Sequence, residues 1–414
     1  MACRTPTSIR KDSSVGSDPH GLGRLIAGVL CLSTATVQAG EWSGQVGGEY
    51  RGFFEAPLLP EQHRAYFSAF AQPEYRHAWD HDKQRIAFVA FGRASQYDEA
   101  RTHVDIREFN WQKSGAGYEW RVGIQKVFWG VSESQHLVDI INQTDLVEDP
   151  DGEEKLGQPM INLALVRDWG TLDLFVLTGF RERTFPGREG RLRATLPVDT
   201  QQAVFESDRG RRRIDYALRW YKSLGDWEVG LAHFAGTARD PRLLPGTGSD
   251  GAPTLIPHYD VIDQSSLDVQ ATTGAWLWKL ETIRRAGQGP TYVALTAGFE
   301  YTISGILDSG IDLGLLAEYL YDDRGAMATT PFQDDVFAGM RLAFNDVSSS
   351  EALFGIIADR DSDAYIVSLE ANRRFGKSTK LSLEARWFSG IPATDLLYSQ
   401  RRDDYMQLEL AYYF

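Results

Sequence analysis

From about residue 42 onward, hydrophobic and polar residues alternate with a period of two along most of the chain. Trp120, Val122 and Ile124 interleave with Glu119, Arg121, Gly123 and Gln125; Leu381, Leu383, Ala385 and Trp387 interleave with Ser382, Glu384 and Arg386. Successive side chains of a strand point to opposite faces, so this pattern predicts strands with one apolar and one polar face. Such segments cover 42–54, 65–79, 84–93, 102–112, 118–129, 159–167, 171–181, 213–221, 226–236, 265–273, 276–285, 291–303, 310–321, 335–344, 351–359, 364–374, 379–388 and 404–414. That is eighteen strands, many near 10 residues long, whereas strands of soluble sheets average about 5–6 residues.

Long two-faced strands suit a sheet with lipid on one side and water or packed polar groups on the other. The connections carry a second regularity. Those from even to odd strands are short (80–83, 114–117, 168–170, 222–225, 274–275, 304–309, 345–350, 375–378), and every long one runs from odd to even (55–64, 94–101, 130–158, 182–212, 237–264, 322–334, 389–403). Barrels in outer membranes have short periplasmic turns and longer outer loops. A single miscounted strand would scramble this order, so we expect an all-β, closed antiparallel transmembrane β-barrel of about 18 strands, with 16 as the fallback. Lipid offers no partner to an open sheet edge, so an even-numbered sheet closes by pairing its last strand with its first.

Residues 1–39 read differently. Arg4, Arg10, Lys11 and Arg24 precede the apolar stretch Leu25–Leu32, and Val37-Gln38-Ala39 ends on a small residue. A basic start, an apolar centre and a small-residue cleavage point predict a secretory signal peptide cut after Ala39, leaving 40–414 as the barrel. Cys3 and Cys31, the only cysteines, leave with it. The exported chain is therefore expected to have neither a disulfide nor a thiolate metal site, and no cofactor is implied. The full chain carries a formal net charge of −14, which argues against nucleic acid as a partner.

The last strand ends Met406, Leu408, Leu410, Tyr412, Phe414 at alternate positions. Here the sequence resembles Gram-negative bacterial outer-membrane β-barrel proteins of the porin-like kind, whose final strand typically ends in an aromatic residue after alternating apolar ones. The resemblance implies that Leu410, Tyr412 and Phe414 form a signal read by the barrel-assembly machinery. It also implies outer-membrane lipid and lipopolysaccharide as surroundings, and it admits a homotrimer. Trp42, Trp79, Trp111, Trp129, Trp169, Trp220, Trp227 and Trp387 fall near strand ends, where rings with a polar tip anchor a barrel at the interface.

Charge is concentrated in two loops. Residues 130–158 hold Glu133, Asp139, Asp145, Glu148, Asp149, Asp151, Glu153 and Glu154 against Lys155 alone. In general porins this third loop folds into the barrel, and the resemblance implies a constriction formed by Glu133, Asp139, Asp145, Glu148, Asp149 and Asp151. Carboxylates in a narrow opening concentrate cations. The alternative is a solvated outer loop. The next connection is basic, with Arg209, Arg211, Arg212 and Arg213 at its end. Guanidinium forks suit phosphate and carboxylate, so these arginines are candidates for lipopolysaccharide phosphates, for the acidic loop, or for an anionic solute. Arg121, Asp173, Arg219, Lys279, Glu281, Arg341, Glu370, Arg374, Glu384 and Arg386 occupy polar-face positions of strands and predict a charged, hydrated interior.

The expected function is a channel for passive or substrate-selective passage of small solutes. Neither a nucleophile elbow nor a metal-binding His pair on a helix nor a phosphate loop occurs, so an enzyme is not expected. A polymer-export or conduit barrel and an outer-membrane hydrolase are the alternatives.

Overall fold

The computed structural model describes residues 40–414; the expected signal peptide lies outside the described residues. Eighteen strands form one sheet: β1 (Glu41–Phe53), β2 (Ala65–Trp79), β3 (Gln84–Ser95), β4 (His103–Gly115), β5 (Tyr118–Gln125), β6 (Gln158–Arg167), β7 (Gly170–Leu177), β8 (Asp215–Leu224), β9 (Trp227–Thr237), β10 (Val261–Thr273), β11 (Trp276–Ala286), β12 (Tyr292–Ile303), β13 (Asp312–Asp322), β14 (Asp334–Ala343), β15 (Glu351–Asp359), β16 (Tyr365–Phe375), β17 (Thr379–Ser389) and β18 (Tyr405–Tyr413). Each pairs antiparallel with the strand before it, and β18 pairs with β1 from Gln45↔Tyr413 to Phe53↔Tyr405. The sheet is therefore closed, and all eighteen expected segments are present in the expected order.

The two faces sort as the alternation predicts. On β18, Leu408, Leu410, Tyr412 and Phe414 are exposed on the outside, while Tyr405 and Ala411 point inward and are buried. One irregularity matters for the interior. Val89 pairs with Glu108 but Ala90 pairs with Ile106, so Arg107 is an extra residue in β4. This bulge turns both Arg107 and Glu108 into the lumen, and such insertions commonly re-aim a side chain. Gly123 of β5 sits at φ 130°, where an added Cβ would lie 2.1 Å from the Phe109 carbonyl oxygen, so the close approach of β4 and β5 requires glycine.

Two local expectations need correction. Segment 118–129 leaves the wall after Gln125, because Asn142 takes over the ladder: its Oδ1 accepts from Val127 N (2.8 Å) and its Nδ2 donates to the Gln125 and Leu156 carbonyls. Segment 171–181 ends at Leu177, and just beyond it the Gln158 side-chain amide donates to the Gly179 carbonyl. The long connection 237–264 also contains a hairpin, Arg242–Thr247 with Pro253–Tyr259, joined by Val204–Phe205 into a small sheet. Pro245, Pro253 and Pro257 break the strand pattern there; Pro245 lies on an edge strand, where proline is tolerated, and Pro253 and Pro257 precede His258–Tyr259, the stretch of the middle strand that pairs with Val204–Phe205.

The interior is divided. Part of the inner wall across β6 to β12 is apolar, with Met160, Phe175, Leu177, Phe234, Ile262, Ile283 and Tyr292 buried, beside buried charged residues such as Asp215, Asp268, Glu281 and Arg285. Trp129, Val138, Ile140 and Ile141 of the third loop cover it. Trp129 thus belongs to this core, 4 % exposed and packed on Phe175, rather than to an interfacial girdle. Its indole follows the loop inward, whereas Trp42, Trp169 and Trp227 stay exposed at strand ends.

Candidate constriction of the lumen

Residues 126–157, between β5 and β6, fold into the barrel instead of projecting from its rim. The loop makes two excursions. The first, 131–138, reaches the wall formed by β11, β13 and β14. There Glu281 accepts hydrogen bonds from the amides of Val131 (2.7 Å), Ser132 (2.9 Å) and Val138 (3.1 Å). Glu318 accepts from the amides of Glu133 and Ser134 (2.8 Å each) and from the Ser134 hydroxyl (2.5 Å). Two wall carboxylates therefore satisfy the turn's amides, which water would otherwise have to serve. Glu133 closes this contact by pairing with Arg341 (2.6 Å) and Lys279 (3.6 Å).

The second excursion, 143–151, crosses to the opposite wall. Arg107, turned inward by the bulge, pairs with Asp145 (3.1 Å) and Glu154 (3.3 Å). Arg93 bridges Glu148 (2.9 Å) and Glu49 (3.0 Å), and Arg101 holds Glu49 (2.5 Å) and the Val147 carbonyl (2.8 Å). Asp151 pairs with Arg386 of β17 (2.5 Å). The loop thus spans the lumen, with its apolar residues on one wall and its carboxylates on the others.

The expected constriction residues fall into two groups. Asp139, Asp145 and Glu148 are buried within the loop and its contacts, Asp139 against Lys155 (3.3 Å) and the Trp129 amide. Glu133, Asp149 and Asp151 sit at the two edges. Burial raises the Asp149 carboxyl well above its ordinary value, and the neighbouring charges of Asp151 and Glu384 push it the same way. Burial opposes ionisation of Asp151 as well, but Arg386 outweighs it and holds that carboxyl low. The two neighbouring carboxyls are thus driven apart, Asp149 toward its neutral form and Asp151 toward its charged form.

Open space remains beside this half of the loop. One cavity of about 280 Å³ is lined by Asp149, Asp151, Glu153, Glu370, Glu384 and Glu409, with Lys380 as the basic residue facing them. A second, of about 540 Å³, lies along β1 to β5 and is lined by both signs, including Arg76, Arg85, Glu108 and Arg121. A third, also about 540 Å³, opens between the loop connecting β7 to β8 and the hairpin loop. Charged residues thus line open space along β1 to β5 and β16 to β18, while the third loop fills the barrel against β6 to β12.

The basic cluster lies away from this constriction. Arg209, Arg211 and Arg212 are exposed at the rim; Arg211 pairs with Glu182 and Arg213 with Asp215. None pairs with the acidic loop. Other arginines of the same connection do contact the interior: Arg181 binds Asp105 (2.7 Å) and Arg183 binds Asp240 and the Gln143 side chain.

Arg93, Arg101, Glu49 and Glu318 are interior residues that the charge pattern did not single out. Glu49, Arg93 and Glu318 stand at inward positions of alternating strands and were findable by parity. Arg107 was not, because the bulge reverses its parity. The final strand places Leu410, Tyr412 and Phe414 on the outer face, 54 %, 52 % and 59 % exposed, and Phe414 exchanges backbone hydrogen bonds with Gly44 of β1.

No family model matches the sequence, and no curated protein matches it significantly. Solved structures do match the fold. OccD3 of Pseudomonas aeruginosa superposes with a TM-score of 0.54 over 91 % of both chains at 10 % identity. A BenF-like porin from Pseudomonas fluorescens Pf-5 gives 0.54 over 91 % of this chain and 98 % of that one at 8 % identity. OccK9 of P. aeruginosa gives 0.53 over 91 % and 99 % at 12 % identity. At such identities the likeness is one of fold, a closed barrel shared with porins.

Proposed function

We propose that this protein is an integral outer-membrane channel of a Gram-negative bacterium, passing small polar solutes where the third loop narrows the lumen. The observation that carries the proposal is a closed eighteen-stranded barrel whose third loop crosses the interior yet leaves charged cavities beside it. A barrel of this strand number encloses more space than its wall side chains fill, and the loop occupies only part of it. Transport rather than catalysis is the role of the lumen.

Glu133, Asp149 and Asp151 form the constriction, together with Glu370 and Arg341 of the wall; Asp139, Asp145 and Glu148 hold the loop in shape. Because carboxylates outnumber cations in the 280 Å³ cavity, small cations pass more readily than anions. Arg209 and Arg212, exposed at the rim, bind lipopolysaccharide phosphates. Residues 1–39 are removed on export, the assembly machinery reads Leu410, Tyr412 and Phe414, and the barrel assembles as a homotrimer.

The test is single-channel recording of the purified protein in a planar bilayer, with reversal potential measured across a salt gradient. Discrete conductance steps with cation preference are expected. A folded barrel without any conductance refutes the channel.

A further inference from the structure

The outer wall of the barrel brings a serine, a histidine and an aspartate together on β9 and β10. Their side chains belong to the lipid-facing set: Phe234, Gln264 and Ser266 beside them point inward and are buried, whereas His233 and Asp263 have side chains 51 % and 67 % exposed. The register sets His233 directly opposite Ser265, and Ser265 directly opposite Arg284 of β11. Ser265 Oγ lies 3.0 Å from His233 Nδ1, and Asp263 Oδ1 lies 3.8 Å from His233 Nε2. One ring nitrogen thus meets a hydroxyl while the other faces a carboxylate. That is the relation in which a histidine takes a proton from a serine nucleophile and the carboxylate orients the ring.

Depth in the membrane gives this cluster a substrate. Strands rise about 3.3 Å per residue and tilt about 40° in barrels, so Ser265 stands about 20 Å above Thr273 at the short-turn end of β10. A hydrocarbon band about 25 Å tall then ends near Asp263. Lipid-facing charge is costly at the midplane and nearly free at the interface, which fits that level. Leu218, Leu231 and Val293 are exposed on β8, β9 and β12 below and beside the cluster. An amphiphile lodged there lays its chains on these apolar residues and its ester linkages at the height of Ser265.

We propose that Ser265, His233 and Asp263 hydrolyse acyl esters of amphiphiles in the leaflet at the long-loop end of the barrel. Ser265 Oγ attacks the ester carbonyl carbon as His233 Nδ1 takes its proton. The resulting oxyanion needs a donor. Both neighbours of Ser265 are hydrogen-bonded strands, so the Arg284 guanidinium, directly across the strand and exposed, supplies it. The carbonyl–alkoxide bond then breaks and the alkoxide receives the proton from His233. Water, deprotonated by His233, next attacks the acyl-serine, releasing the fatty acid and restoring Ser265. The sum is ester plus water to acid plus alcohol. Asp263 is a positioning residue that acts through His233.

The site lies on the outside of the wall and does not depend on an open lumen, so it can be tested separately. The purified full-length barrel in mixed micelles is given either a diacyl phospholipid or an acylated saccharide lipid; fatty acid release and labelling by a fluorophosphonate are followed. Hydrolysis of at least one lipid is expected, the responsive arm naming its source. S265A should abolish both release and labelling while keeping heat-dependent gel migration and conductance unchanged. H233N should do the same to hydrolysis. D263N should lower kcat about 10-fold with KM unchanged, as expected when a base loses its orienting partner, and D263E should rescue part of it. No release from either lipid above the S265A background, or label on another residue, overturns the proposal. Hydrolysis by a folded, non-conducting barrel would refute the channel and leave this activity standing.

Discussion

Removing the two wall carboxylates that clasp the third loop should release its tip into the lumen. Glu281 accepts three amide hydrogen bonds, and Glu318 accepts two plus a hydroxyl. A hydrogen bond to a charged group is worth about 1.5–3 kcal/mol net. Amides of residues 131–138 that detach regain part of this from water. For E281Q the carboxamide keeps an oxygen for Val131 and Ser132 but turns a donor toward the Val138 amide. One bond and the charge assistance on two others are lost, about 2 kcal/mol, which raises the detached population about 30-fold. E281A loses all three bonds, about 4 kcal/mol after rehydration, or about 1000-fold. The remainder of the loop stays in place through Trp129, Ile140 and Ile141, so only the tip moves. Single-channel records should show added flicker and sub-conductance states in E281Q, more in E281A, and most in the E281A/E318A double variant. If that double variant folds and conducts with wild-type amplitude and noise, the clasp does not hold the constriction.

His136 makes the same contact pH-dependent. Burial alone would depress its pKa, but the ion pairs with Glu153 (3.0 Å) and Glu281 (3.9 Å) prevail and raise it to about 10. Its stabilisation is therefore complete below the ordinary histidine value of about 6.5 and disappears as pH rises toward 10; channel noise should grow over that interval in the wild type and stay flat in H136Q. At the other edge, R386Q leaves Asp151, Glu370 and Glu384 without their shared cation, so its reversal potential should shift toward stronger cation preference, while D151N should shift it the opposite way; identical potentials in all three proteins would remove this corner from the conduction path. Neutralising Arg211, Arg212 and Arg213 together should leave the reversal potential unchanged, since they sit at the rim, and a shift would place them in the pore. Deleting Phe414 removes its backbone pair with Gly44 as well as the terminal aromatic, and should lower the heat-modifiable, folded fraction recovered from membranes.

The barrel was legible because one physical rule acts on every strand. Lipid outside and water or polar groups inside force alternation, and antiparallel strands that cross the membrane put successive connections on opposite sides, so short and long ones alternate too. The rule is faintest on β6, where Met160, Ile161, Leu163, Ala164 and Leu165 put apolar side chains on both faces, because its inner face packs against the third loop rather than water. The loop's charges were legible, but their partners were not. Glu148 meets Arg93, Glu133 meets Arg341 and Asp151 meets Arg386 across separations of 55, 208 and 235 residues, contacts that exist only once the sheet has closed. Arg107 required a bulge that alternation hides.

These pairings change what the loop's acidity means. Counted along the sequence, eight carboxylates against one lysine describe a strong negative ring. In the folded barrel Glu133, Asp145, Glu148 and Asp151 each face a wall arginine, and their charge is spent on placing the loop. Glu153 pairs with His136 in turn, and the carboxylates left beside the cavity are chiefly Glu370 and Glu409 of the wall, facing Lys380. A field made largely by β16 and β18 responds to substitutions there more than to substitutions within the loop. Glu370 and Glu409 are therefore the side chains through which selectivity can be altered while the third loop keeps its path.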